Sequence, residues 1–312
     1  MKTPTMTRRI TLALAGVALA WVSFACSSIP RGQTAVNDRK NEAAGYVRLA
    51  DDFFAKNQYA AAANYYSEAL VTNLAVDYIE GAIAARSSLG RVYLALGAIE
   101  DATREMNDAW FDAQMLNNPD LVALCLNNLG ELYYRQDDQT AAEANFNAAA
   151  GMIVEDARLL AIINHNRGVA ALARQALDEA QAFFELARQA NQKANRWSEF
   201  AANCYMLAAI ENIRENLTTA IDWAEQALAA DKRAENAVGI EADLVALAKL
   251  NRKVGNALAA FDYFRRAFQV GLQLNDVAIV RLCLEQLVEL AASLEKPDYV
   301  TRYQALLDRL DE

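Results

Sequence analysis

Residues 127–149 read Asn-Asn-Leu-Gly-Glu-Leu-Tyr-Tyr-Arg-Gln-Asp-Asp-Gln-Thr-Ala-Ala-Glu-Ala-Asn-Phe-Asn-Ala-Ala. Gly130 is followed twelve residues later by Ala142 and seven further on by Ala149, with polar Gln136-Asp137-Asp138 between. Leu126, Leu129 and Tyr133 on one side of that polar break, and Ala142, Phe146 and Ala149 on the other, repeat at three or four residues. This is the period of a helix with one buried stripe, so the stretch predicts two helices joined by a short turn. Gly130 and the two alanines let the cylinders approach closely, and Phe146 fills the space left between them.

The same phase recurs along the chain. Anchors stand at Ala50, Gly90, Gly130, Gly168, Ala208, Ala248 and Val288, with steps of 40, 40, 38, 40, 40 and 40 residues. Twelve residues beyond the first six lie Ala62, Ala102, Ala142, Ala180, Ala220 and Ala260; seven further on lie Ala69, Ala109, Ala149, Ala187, Ala227 and Ala267. Tyr66, Met106, Phe146, Phe184 and Phe264 hold the large core position. Turn-forming types precede the anchors by thirteen residues (Asn37, Asp77, Asn117, Glu155, Asn195, Glu235, Asn275) and read as helix starts or turns. Others follow the anchors by seven (Asn57, Gly97, Asp137, Gln175, Glu215, Gly255, Glu295). Asn118-Pro119-Asp120 spells out one helix start, with proline in the first turn. A fixed period of this size is the mark of a stacked array whose units share one continuous core.

The pattern resembles the tetratricopeptide family. Leu129-Gly130, Tyr133, Ala142, Phe146 and Ala149 match its two-helix signature, and Leu89-Gly90, Tyr93, Ala102 and Ala109 match it again. The 40-residue step is longer than the usual ~34 and is similar to the long-repeat class of kinesin light chains. The resemblance implies an all-α fold over residues 37–312: a right-handed α-solenoid, or superhelix, of about seven antiparallel helix pairs. The last unit departs, with Val288, Val300 and Leu307 in place of small residues, and Pro297 to Leu310 reads as a C-terminal capping helix.

The N-terminus carries an address. Lys2, Arg8 and Arg9 precede an apolar run from Ile10 to Val22, then small residues at Ser23 and Ala25, the order of an export signal over residues 1–25. About 13 apolar residues fall short of the ~20 needed to span a bilayer as a helix. Ser23-Phe24-Ala25-Cys26 resembles a bacterial lipobox, which implies lipidation of Cys26; the alternative is an ordinary signal-peptidase site with Cys26 an incidental thiol. Ser27 after the cysteine implies, by the same resemblance, sorting to the outer membrane facing the periplasm. Residues 26–36, with Pro30 and Gly32, read as the lipidated cysteine and a flexible tether.

Composition narrows the function. The formal net charge is −10 and becomes three units more negative once Lys2, Arg8 and Arg9 leave with the signal. An acidic surface repels phosphate backbones, which excludes general nucleic-acid binding. His165 is the single histidine, and no phosphate loop, nucleophile elbow or metal-ligand cluster is present, so no catalytic residue, metal or cofactor is expected. Cys125, Cys204 and Cys283 recur at 79-residue intervals on alternate units. That is too far for a disulfide between them, and they read as small buried thiols.

In the resembling family the first helix of each pair lines a concave groove. Its groove positions carry over to Arg91; Asn127, Glu131, Tyr134 and Arg135; His165; Tyr205 and Asn212; Lys249, Arg252 and Lys253; and Glu285 and Glu289. Lys249, Arg252 and Lys253 make a basic patch on an acidic protein, suited to an acidic segment or a carboxylate. The expectation is a non-catalytic, membrane-anchored scaffold or adaptor of the bacterial envelope that takes a peptide or protein in its groove. The alternative is a periplasmic ligand-handling protein for hydrophobic cargo, or one that docks a soluble binding protein, motivated by apolar Ile162, Val169 and Leu172 near His165.

Overall fold

A computed structural model describes residues 33–152 and 156–311. The export segment, Cys26, the start of the tether and Glu155 lie outside the described residues. Fourteen helices and no strand occur among the described residues, arranged as seven pairs. The pairs are α1 (Gln33–Ala55) with α2 (Tyr59–Leu74), α3 (Ile79–Ala95) with α4 (Ile99–Leu116), and α5 (Pro119–Arg135) with α6 (Gln139–Ala150). Then come α7 (Ala157–Ala173) with α8 (Leu177–Lys193), α9 (Trp197–Ile213) with α10 (Leu217–Arg233), α11 (Ala237–Lys253) with α12 (Ala257–Leu274), and α13 (Val277–Ser293) with α14 (Pro297–Asp311).

Helix α1 opens at Gln33, four residues inside the stretch read as tether, and Asn37 lies within it rather than at its start. Nothing in Gln33-Thr34-Ala35-Val36 breaks a helix; the punctuators Pro30 and Gly32 both precede it.

The polar positions between helices share one device. Asp77, Asn117, Asn195, Glu235 and Asn275, and likewise Asn57, Asp137, Gln175, Glu215 and Glu295, adopt left-handed backbone with φ between 53° and 64°. The Asn57 amide donates to the Phe54 carbonyl and the Gln58 amide to Phe53, and the second bond recurs at Ala98 to Tyr93, Arg196 to Asn191 and Asn236 to Asp231. This is the Schellman closure, in which the chain reverses and satisfies the last carbonyls of a helix. These residues therefore end the preceding helix, and the next residue opens the following one. Asn118 accepts from the Asp120 and Leu121 amides ahead of Pro119, and Asn256 and Asp276 cap α12 and α13 in the same way. Short, fixed reversals are what turn one helix back along the other in the pairs that lie within a single compact unit.

Two compact units divide between Val92 and Tyr93, inside α3. In the first, α1 packs on α2 through Ala43, Ala50, Ala62 and Ala69, and the Tyr66 hydroxyl donates to Asp51. In the second, each helix from α4 to α14 packs on the next, and the first helices of neighbouring pairs also touch, α5 on α7 and α9 on α11. All twelve alanines of the second-helix columns are fully buried. A side chain on Gly130 would begin 2.6 Å from the Phe146 ring, and one on Gly168 2.7 Å from Phe184, so the glycine is the notch into which the facing ring drops. The 38-residue step shows in α6, 12 residues long where the other second helices have 15 to 18. At its C-terminal side α14 is the second helix of the seventh pair: Tyr303 is buried against Phe261 and Phe268, while Val300 and Leu307 are partly buried against the same core.

Candidate functional site

The family-derived groove positions fall into three states. Arg91, in the first unit, stacks its guanidinium 5.1 Å from the centre of the Phe54 ring. Tyr134 packs against the Ala142–Phe146–Ala170 cluster, Glu131 is partly buried and Arg135 is exposed.

Asn127 and His165 form part of a polar seam between first helices. Asn127 is 2% exposed; it donates to Asn128 and accepts from Asn166 of α7 at 2.9 Å. His165 on α7 meets Asn203 on α9, Nδ1 to Oδ1, at 2.9 Å. Asn203 uses its amide nitrogen on the Glu199 carbonyl, so its oxygen faces the ring and His165 Nδ1 is the donor. Burial holds the imidazole below its ordinary pKa, and its ring stands edge-on to Phe184, 5.3 Å between centres. These groups make their hydrogen bonds inside the helix stack, within their own helix and across to the next. Val169 and Leu172, read as apolar groove, pack with the core around Phe184, Leu207 and Ile210.

The third state is an open cleft between α9 and α11, about 220 Å³ in volume. Its floor is Ala208 and Leu250, both nearly buried; Ala209 and Ala246 keep the two helices from filling it. Tyr205, Asn212, Lys249 and Lys253 form the rim. Tyr205 is 38% exposed, and burial first, then the charge of Asp243, raise the pKa of its phenol, so the hydroxyl stays neutral. Lys253 Nζ donates to Asn212 Oδ1 at 3.1 Å, while Lys249 makes no hydrogen bond or ion pair among the described residues. Lys249 and Lys253 are one turn apart, which aims both ammonium groups to one side. Arg252, placed in the same basic patch by sequence, is instead paired with Glu289 of α13 at 2.9 Å and bonded to Gln286; Glu285 is exposed. The usable charge is therefore two lysines.

Behind the cleft the structure brings Asp231 and Asp243 together, both buried, and it buries Glu241 separately, toward Gly271 of α12 and Asp276 ahead of α13. None was among the expected site residues. A signal for them exists in the repeat: Asp243 stands in the column of Ala85, Cys125, Ile163 and Cys283, each fully or nearly buried. Cys125, Cys204 and Cys283 are free buried thiols, and burial pushes Cys204 and Cys283 up to about 12. Among the described residues no group of three His, Cys, Asp or Glu is placed to hold a metal ion, and no helix is long and apolar enough to cross a membrane.

No protein-family model and no curated protein sequence matches the chain. Solved structures do. The Rap conjugation gene regulator of plasmid pLS20, in complex with the Phr* peptide, is 13% identical over 91% of this chain and 79% of that one, with a TM-score of 0.62. Pseudomonas aeruginosa pilF is 19% identical over 75% and 92%, TM-score 0.55. PilW, described as a widely conserved type IV pilus biogenesis factor, is 20% identical over 72% and 91%, TM-score 0.51. At such identities the likeness carries the fold: this chain has the all-α helix-pair architecture of tetratricopeptide-repeat proteins.

Proposed function

We propose that the protein is a non-catalytic interaction scaffold, anchored to a bacterial membrane through Cys26, whose α9–α11 cleft takes an acidic or carboxylate-bearing segment of a peptide or protein. The observation that carries this reading is Lys249 and Lys253 beside a small apolar floor, without an acid paired to either, on a chain of net charge −10. Charge-assisted bonds from two ammonium groups would hold a carboxylate, the Tyr205 hydroxyl adds a neutral donor, and Ala208 and Leu250 receive an apolar side chain. The structural likeness to a Rap regulator in complex with the Phr* peptide supports a peptide ligand, and the likeness to PilW, a type IV pilus biogenesis factor, supports an envelope setting; a periplasm-facing outer-membrane placement is proposed from the Ser23-Phe24-Ala25-Cys26-Ser27 resemblance alone. The packing of Val169 and Leu172 into core favours this reading over hydrophobic cargo.

The test is capture after brief crosslinking in gently solubilised envelopes, comparing wild type with Lys249→Glu/Lys253→Glu. A discrete protein partner lost in the variant supports the scaffold; enrichment of lipid or small molecule, unaffected by the variant, overturns it. Anchoring is read separately with a clickable fatty acid: the wild type should be labelled and sediment with membranes, and Cys26→Ser should do neither.

A further inference from the structure

The buried acids behind the cleft are not a solvated surface run. Asp231 is 4% exposed and Asp243 2%. Asp231 sits in the last turn of α10 and reaches under the first turn of α11, where a side chain on Gly239 would begin 1.8 Å from its Oδ2. Asn236, which caps α11 by accepting from the Gly239 amide, donates through Nδ2 to Asp231 Oδ1 at 2.9 Å. Asp243 lies one turn past Gly239 on the same face and brings its carboxyl within hydrogen-bonding reach of Asp231. Yet Asp243 Oδ2 has no donor. Two carboxylates hold no hydrogen between them, so this contact becomes a bond only when one of them carries a proton.

We propose that Asp243 retains its proton, donates it to the Asp231 carboxylate, and thereby locks α10 to α11 with a bond that is released when the proton is lost. The surroundings fit. Neither acid has an ion-pair partner among the described residues. From α9, Cys204 and Tyr205 face the pair and feel its charge; from α8, Glu185 and Arg188 act on Cys204. On the α12–α13 side, Asp276 faces Glu241, whose Oε1 also lacks a donor and lies 2.7 Å from where a Gly271 side chain would begin; Lys249 acts on Cys283 there. Burial pushes Asp243 up to about 8, helped by the neighbouring Asp231 charge, and Asp231 up to about 6, against an ordinary value of 3.8. Both folded values lie above the unfolded one. The folded seam holds protons that the unfolded chain has released, so its stability is complete below about pH 4 and is lost as pH rises through about 8. Tyr205 shares the field of Asp243 and lines the cleft, which puts the lock directly behind the binding site.

Carbon-13 carboxyl NMR of the folded chain tests this directly. The wild type should show a carboxyl midpoint above pH 7 that vanishes in Asp243→Asn and survives in Glu241→Gln. The urea midpoint of the wild type should fall between pH 6 and pH 8.5, and Asp243→Asn, which keeps a donor toward Asp231, should flatten that fall by about tenfold in the unfolding constant per pH unit. Aspartate midpoints all below pH 6 in the wild type, or an undiminished fall in the Asn variant, would overturn the proposal.

Discussion

Two seams between neighbouring helices carry buried polar side chains, and they are balanced differently. Between α5, α7 and α9, the Asn127–Asn166 and His165–Asn203 bonds match a donor with an acceptor. Between α10 and α11, Asp231 and Asp243 set acceptor against acceptor, with only Asn236 donating. A matched seam keeps its donor and acceptor as pH rises above neutrality, whereas an acid pair depends on a proton that a rising pH removes. The difference also falls where function is proposed: the first seam closes over its polar groups, and the second backs a cleft whose lysines remain open. Like column positions in a repeat protein can thus be structural in one unit and responsive in another.

The comparison can be broken most severely at its first member. Phe184 is fully buried, fills the Gly168 notch and supports His165, so Phe184→Ala should destabilise the chain by about 3–5 kcal/mol. Calorimetry would measure the loss. The same variant should raise the imidazole pKa toward its ordinary value, because burial is the first cause of its depression; an unmoved His165 titration would mean that the ring is held by something other than this packing.

A sharper contrast uses one substitution at one column. Asn203→Leu strips the acceptor from the His165 Nδ1 proton and should cost about 1–3 kcal/mol. Asp243→Leu at pH 8.5 removes a buried acid that is otherwise ionised against Asp231, and should be neutral or stabilising by about 1 kcal/mol. Equal losses in urea titrations of the two variants would erase the distinction between the seams.

Next in size is the cleft. Lys249→Glu/Lys253→Glu should weaken binding of an acidic, free-carboxylate probe peptide at least about tenfold by fluorescence anisotropy, and the wild-type affinity should fall as salt rises. The smallest effect lies in the backbone. Asn195 and Glu235 hold the same turn position with φ 56° and 54°, and asparagine tolerates left-handed backbone better than glutamate. Glu235→Asn should gain, and Asn195→Glu lose, about 0.5 kcal/mol in thermal unfolding.

The repeat was legible because small residues report helix contact one by one: an alanine kept in phase over six units has few causes other than a facing backbone, and all twelve are buried. Turn positions were legible as turns, but their role as helix ends was not, since Asp, Asn and Glu also start helices; the left-handed φ separates the two uses. Groove positions were legible only as a list. Arg252 and Lys253 are adjacent in sequence and identical in charge, yet Glu289 on α13 takes the first and leaves the second to the cleft.

By itself the sequence determined the period, the pairing of helices, the small residues at their crossings and the acidic character of the chain, because each of these is a local or periodic property. Tertiary structure decided which polar side chains are satisfied, which lysines remain open and which acid must keep its proton. Those depend on partners 34 to 41 residues away on other helices, or across a turn beneath a missing side chain, and no local pattern records whether a donor meets an acceptor there.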